Sequence, residues 1–169
     1  MKTVWYYSHP ADKWAKVNPK IFATAQEKLD AEFINLDTLY ADKPIDMKAE
    51  EERILAADTI VFQYPVYFLG IVPKIAELSF GVFSKHSKFA YAKGDLMKNK
   101  QIILVNSCLG GAKSEDHALS PSFAAWAGLA KQILMKTPKQ FILGGVQKID
   151  DEKIECFVDS LVAELNSSE

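Results

Sequence analysis

Short apolar runs alternate along the chain with stretches whose apolar residues recur every three to four positions. Thr3–Tyr7, Phe33–Leu36, Thr59–Phe62, Ile102–Val105 and Gln140–Leu143 read as strands. Between and after them, helical patterns run from Pro19 to about Leu29, then Met47–Ala56, Val72–Phe83, Phe123–Leu134 and Asp151–Leu165. The last is the clearest: Ile154, Phe157, Val158, Leu161, Val162 and Leu165 form one stripe at helical spacing. Near-continuous apolar strands separated by helices predict a parallel sheet covered on both faces. No internal repeat and no linker rich in Pro, Gly or Ser divides the chain, so residues 1–169 read as a single domain.

In an open parallel sheet, ligands sit in the crevice outside the carboxyl ends of the strands. Three loops there carry chemistry. The first runs from Ser8-His9-Pro10 to Asn18-Pro19, with Asn18 expected as an N-cap and Pro19 as the first helical residue. The unpaired N–H groups and positive dipole of that helix end suit a phosphate, although a capped helix and nothing more is the plainer reading of an Asn-Pro pair alone. The second loop, after Phe62, holds Tyr64, Pro65, Val66, Tyr67 and Phe68. Aromatic surface in a loop that should be solvated suggests a platform for a flat ring; the alternative is that these rings pack under their own loop. Phe68 lies six residues beyond Phe62, between Pro65 and Pro73, and is expected to be such a platform. The third loop, Asn106-Ser107-Cys108-Leu109-Gly110-Gly111, adds a hydroxyl, a thiol and backbone able to approach a ligand edge.

Composition narrows the field. An apolar share of 49% and a net charge of -2 are those of an ordinary globular protein, with no basic excess to favour nucleic acid. No apolar run approaches the ~18 residues of a membrane span, and Met1–Tyr7 is too short and too β-like for a signal peptide. Cys108 and Cys156 are far apart and form no CxxC pattern, which suits a reducing cytoplasm; Cys156, near Ile154 and Phe157, is expected in the core. No Cys/His cluster or helix-turn pair of histidines suggests a metal site. His86 sits among Ser and Lys and reads as solvated. His117 follows Glu115-Asp116, whose charges favour the protonated ring and hence a proton donor.

Several segments resemble one family. His9-Pro10, Asn18, the run Ala57-Asp58-Thr59-Ile60-Val61-Phe62-Gln63-Tyr64-Pro65, the triplet Phe89-Ala90-Tyr91 and Leu96-Met97-Lys98-Asn99-Lys100 are similar to those of the flavodoxin-like NAD(P)H:quinone oxidoreductases, the DT-diaphorase group, above all its short bacterial members. The resemblance spans nearly the whole chain. It implies a flavodoxin-like α/β fold: a three-layer, open, parallel five-stranded sheet. It also implies FMN or FAD as cofactor, NAD(P)H as electron donor, a quinone-like acceptor, and a pocket at a homodimer interface. Residue by residue, it implies that His9 and Asn18 hold the flavin phosphate. Pro65, Val66, Tyr67 and Phe68 would run along the isoalloxazine, and Ser107, Cys108, Leu109 and Gly110 along its other edge. Phe89 and Tyr91 would roof the pocket from the partner's side. His117 is the catalytic candidate.

The chain departs from the family at two places. Ala15 stands where a Ser is common, removing a hydroxyl donor to phosphate. The third loop reads Ser107-Cys108-Leu109-Gly110 where Thr-Thr-Gly-Gly is usual, so Leu109 places a side chain where backbone would meet the ring. The reading is a cytoplasmic, homodimeric flavoenzyme carrying two electrons from NAD(P)H to a quinone or similar acceptor by ping-pong hydride transfer. The alternative is an ancillary subunit of a membrane transporter of the potassium-efflux type, with turnover secondary and no direct membrane insertion.

Overall fold

The computed structural model of the chain describes residues 1–10, 12–68, 70–83, 96–110 and 121–167. Five strands, β1 (Thr3–Tyr7), β2 (Glu32–Asn35), β3 (Thr59–Pro65), β4 (Gln101–Ser107) and β5 (Lys139–Leu143), form one sheet in the order β2-β1-β3-β4-β5. Every pairing is parallel, with Val4 opposite Ile60 and Phe62 opposite Leu104. The helices are α1 (Val17–Lys28), the short α2 (Leu36–Leu39), α3 (Met47–Ala56), α4 (Pro73–Phe83), α5 (Pro121–Gln132) and α6 (Asp151–Ser167). The flavodoxin-like three-layer fold expected from the sequence is the fold observed.

Side chains alternate across a strand, so each strand feeds both faces. Trp5, Val61, Ile103 and Val105 pack on one face with Ile21 and Ala25 of α1 and with Ile154, Val158, Leu161 and Leu165 of α6. Tyr6, Ile60, Phe62, Ile102 and Leu104 pack on the other with Ile54 of α3, Ile75 and Leu78 of α4 and Trp126 of α5. Phe62 and Trp126 stack with ring centroids 4.5 Å apart. Gly81 lets α4 lie close to α3, because any Cβ there would collide with the Met47 thioether. Exposed ion pairs, Lys20 with Asp151 at 2.5 Å and Lys28 with Asp159 at 2.6 Å, pin α1 to α6. Such surface pairs contribute at most ~1 kcal/mol each, so the apolar seam decides this packing.

The differences from the sequence reading have physical causes. β3 and β4 run past their apolar runs, through Gln63, Tyr64 and Pro65 and through Asn106 and Ser107. These polar residues are buried because each finds a partner. Gln63 accepts from Trp5 Nε1 at 2.9 Å and donates to the Asn18 carbonyl at 2.8 Å, and Asn106 donates to the Tyr64 carbonyl at 3.0 Å. Tyr64 lies within the sheet, with its hydroxyl 2.9 Å from Ser122 Oγ and accepting from Trp126 Nε1 at 3.0 Å. Leu36 is not the end of β2: Asn35 Oδ1 accepts from the Asp37 and Thr38 amides and starts α2 there. Cys156 is exposed, not core, because it lies off the Ile154–Val158–Leu161 stripe.

Candidate functional site

The chain leaves β1 for β2 on one side of the sheet, and leaves β3 for β4 and β5 on the other. Loops therefore diverge above the carboxyl ends of β1 and β3, and a crevice opens between them. A cleft of about 290 Å³ lies there, near the lower limit of the ~300–1,000 Å³ usual for ligand pockets. The first loop contributes His9 and the stretch from Trp14 to Asn18. The second contributes Pro65, Val66 and Tyr67, and the third Ser107, Cys108 and Leu109. Val146 and Gln147, after β5, also line it and were not foreseen. Gly144-Gly145 closing the fifth strand was the signal available, since a turn glycine there (Gly145 has φ 66°) leads the chain back over the sheet edge.

Eight of the ten residues expected at a cofactor thus meet in one cleft; Phe68 and Gly110 do not line it. Phe68 projects fully into solvent at φ 51°, a conformation that bulky residues rarely adopt. The turn holding it is closed by the Gly70 amide donating to the Tyr67 carbonyl at 2.9 Å. His117, His86, Phe89, Tyr91 and Gly111 lie outside the described residues.

Asn18 is not the cap of α1. The helix begins two residues earlier than expected, at Val17, with Lys16 at the cap position and no side chain capping the end. Pro19 is therefore the third helical residue, still within the first turn where a missing N–H costs nothing. Asn18 is buried instead, donating from Nδ2 to Ser107 Oγ at 2.6 Å and so tying the first loop to the end of β4. Its Oδ1 is buried with no hydrogen-bond partner, as is Ser8 Oγ beside His9. A buried acceptor left so costs about 1–3 kcal/mol, which a ligand donor would offset. Turning the amide over would let Ser107 donate to Oδ1 and would leave an N–H for an anion.

His9 is buried as well. Its amide donates to Asp37 Oδ2 at 2.7 Å, and its Nε2 lies 3.3 Å from the Tyr67 hydroxyl, the two rings meeting edge to face. The first and second loops are thereby joined. The second and third are joined by the Val66 amide, which donates to the Ser107 carbonyl at 2.8 Å. Burial pushes the Cys108 thiol above its ordinary value, partly opposed by the Gly110 backbone, so the sulfur stays protonated and offers no ready thiolate. Trp14, exposed at the mouth, carries the Lys13 ammonium 5.4 Å from its ring centroid. No described helix is long and apolar enough to cross a membrane.

An all-parallel sheet in this strand order, layered by helices and cleft at its switch point, defines a doubly wound α/β protein. Within that class the chain belongs to the family described as flavodoxin-like fold, whose model matches residues 1–165. It is similar to the uncharacterized NAD(P)H oxidoreductase YdeQ of Bacillus subtilis, 32% identical over 94 residues. That match covers 56% of the chain and only 46% of the relative, so the chain aligns with about half of its length. Among solved structures it superposes on the general stress protein 14 of Treponema denticola in complex with FMN, with a TM-score of 0.78, 21% identity and all of both chains covered. It also superposes on an NADPH-quinone reductase from P. pentosaceus, with a TM-score of 0.75, 15% identity and 96% of each chain covered.

Proposed function

We propose that the chain is a flavin-dependent NAD(P)H oxidoreductase that reduces quinones or similar acceptors. One observation carries the reading: the uncapped end of α1 and the unpartnered Asn18 Oδ1 border the cleft whose other walls come from the second and third loops. These residues fit a phosphorylated flavin. The first-turn N–H groups and the positive end of α1 suit its phosphate. Asn18 Oδ1 suits a hydroxyl of its sugar chain, and the Pro65–Val66 and Ser107–Leu109 segments suit the two edges of its ring. The FMN held by the Treponema protein and the activities named for the Bacillus and P. pentosaceus relatives support the same reading and favour turnover over an ancillary-subunit role.

When bound, a flavin supplies two-electron chemistry, taking a hydride from NAD(P)H and giving it to the acceptor in alternating half-reactions. The chain's residues bind and orient. His9, locked between Asp37 and Tyr67, fixes the first loop against the second. The Asn18–Ser107 and Val66–Ser107 hydrogen bonds fix the third against both, so the walls are set before anything binds. The protonated Cys108 thiol makes one wall unreactive. His117 is assigned the proton donor to the acceptor oxygen. The enzyme works as a homodimer in the cytoplasm: the exposed Phe68 and Phe80, on the loop before α4 and on α4 itself, are apolar surface for a second copy. The free cysteines suit a reducing compartment.

Anaerobic addition of NADH or NADPH to the flavin-loaded protein tests this. Bleaching of the flavin absorption, and its return on adding a quinone, is expected. A flavin that stays oxidised under excess of both nucleotides would contradict it.

A further inference from the structure

Ala15 leaves the first loop short of a hydroxyl, yet a different hydroxyl reaches the same cleft. Tyr67 and Ser107 are the described residues lining it that carry one; Ser107 Oγ accepts from the Asn18 amide and its residue is buried, at the end of β4. Tyr67 comes from the loop after β3, is 40% exposed, and lies with its oxygen 3.3 Å from His9 Nε2. His9, Ala15 and Asn18 line the cleft beside it.

We propose that Tyr67, which the resemblance alone would lay along the isoalloxazine, instead offers its hydroxyl, held beside His9, as the donor to the ligand's phosphate that Ala15 does not provide. This deepens the flavin reading and rests on it. A phenol has one proton to donate and lone pairs to accept. With the His9 Nε2–H donating to the Tyr67 oxygen, the phenolic proton is left for an anion, and the imidazole polarises it. The reverse arrangement, Tyr67 donating to an unprotonated Nε2, leaves no phenolic proton for the anion, so the phosphate selects the ring that carries its proton on Nε2. The rings meet edge to face, 5.8 Å between centroids, which keeps the Tyr67 oxygen beside His9.

The test compares FMN with riboflavin, which lacks the phosphate, by flavin-fluorescence titration of the parent, Tyr67→Phe, Ala15→Ser and the double variant. Tyr67→Phe is expected to weaken FMN binding roughly 10- to 150-fold, the worth of a charged hydrogen bond. Riboflavin binding should be unchanged. Adding Ala15→Ser to Tyr67→Phe should restore most of the FMN affinity, which a merely unfolded or distorted loop would not allow. Tyr67→Phe binding FMN like the parent, or weakening FMN and riboflavin in equal proportion, would overturn the proposal. A parent that binds neither flavin would instead overturn the functional reading on which it rests.

Discussion

Two buried polar regions lie on either side of β1, and they are finished to different degrees. On one side is Glu50 of α3, which is wholly buried. Its carboxylate accepts from Tyr6 Oη at 2.7 Å, from Tyr40 Oη at 2.5 Å and from Arg53 Nη1 at 2.5 Å. Arg53 is in turn held by Glu32 at 2.7 Å. On the other side, at the carboxyl end of the same strand, Ser8 Oγ and Asn18 Oδ1 are buried without partners. The first region has the chemistry of an active site, with a buried carboxylate and two phenols, yet every group is answered internally and no cleft lies against it among the clefts described. The second is left open. Buried charge alone marks structure; buried polar atoms left without partners beside a cleft mark a place for a ligand. Ser8, next to the lining residue His9, and Gln140 on β5 also hold such atoms but do not line the cleft, so Asn18 Oδ1 is the one that points to a ligand.

The sharpest way to break the comparison is to open the closed region. Glu50→Ala should cost about 3–5 kcal/mol of stability, because it leaves Tyr6 and Tyr40 buried with unmet hydroxyls and Arg53 short of a partner. Urea unfolding would measure the loss, and flavin affinity of the folded fraction should stay near that of the parent. A loss below about 1 kcal/mol would show that the region is not a structural keystone.

Alkali acts on the same groups. Burial first, then Glu50, pushes the Tyr40 phenol from its usual 10 to about 12, and raises Tyr6 further. The folded state keeps both phenols neutral while the unfolded chain ionises from about pH 10. Their contribution is thus complete below that pH and fades as pH rises toward 12 and beyond. The urea midpoint should fall over that window, and less steeply in Tyr40→Phe. A midpoint flat to pH 12 would contradict the closed arrangement.

On the open side, Ala15→Ser should tighten FMN binding by up to about 1.5–3 kcal/mol, the value of a charged hydrogen bond to phosphate. With Tyr67 supplying a donor, the gain should be smaller in the parent than in Tyr67→Phe, a coupling that a double-mutant cycle reads directly. Unchanged or weaker binding in both backgrounds would place the phosphate elsewhere. The smallest effect belongs to Phe68→Ala. Full exposure predicts melting within ~0.5 kcal/mol of the parent when both lack flavin. Because Phe68 does not line the cleft, flavin affinity should stay near that of the parent. A large loss of stability in the flavin-free protein would show that Phe68 packs.

How far the sequence spoke for each region follows from what each is made of. The sheet was legible because its strands are apolar runs of the right length, and α6 because its stripe is regular. Their ends were not, since Gln63, Tyr64 and Asn106 look like loop residues until Trp5 and Asn18 are seen to answer Gln63, Trp126 to answer Tyr64, and Gln140 to answer Asn106. The cleft's three walls were legible as loops after β1, β3 and β4. The actual place of Asn18 was hidden: Asn before Pro resembles a cap, and only the packing against Ser107 shows otherwise. Glu50 was invisible, because its partners come from residues 6 and 40 and no local spacing connects them. The Tyr67–His9 contact joins residues 58 apart for the same reason.

Titration of the purified protein with FMN tests most directly whether the open region is a flavin site. Trp5 and Trp126 are buried while Trp14 stands exposed at the cleft mouth, so its fluorescence reports occupancy of the cleft itself. Saturable binding of one FMN per chain, with part of the tryptophan quenching lost in Trp14→Phe while the flavin signal remains, is the predicted result. No saturable binding of FMN or FAD at tens of micromolar would contradict it.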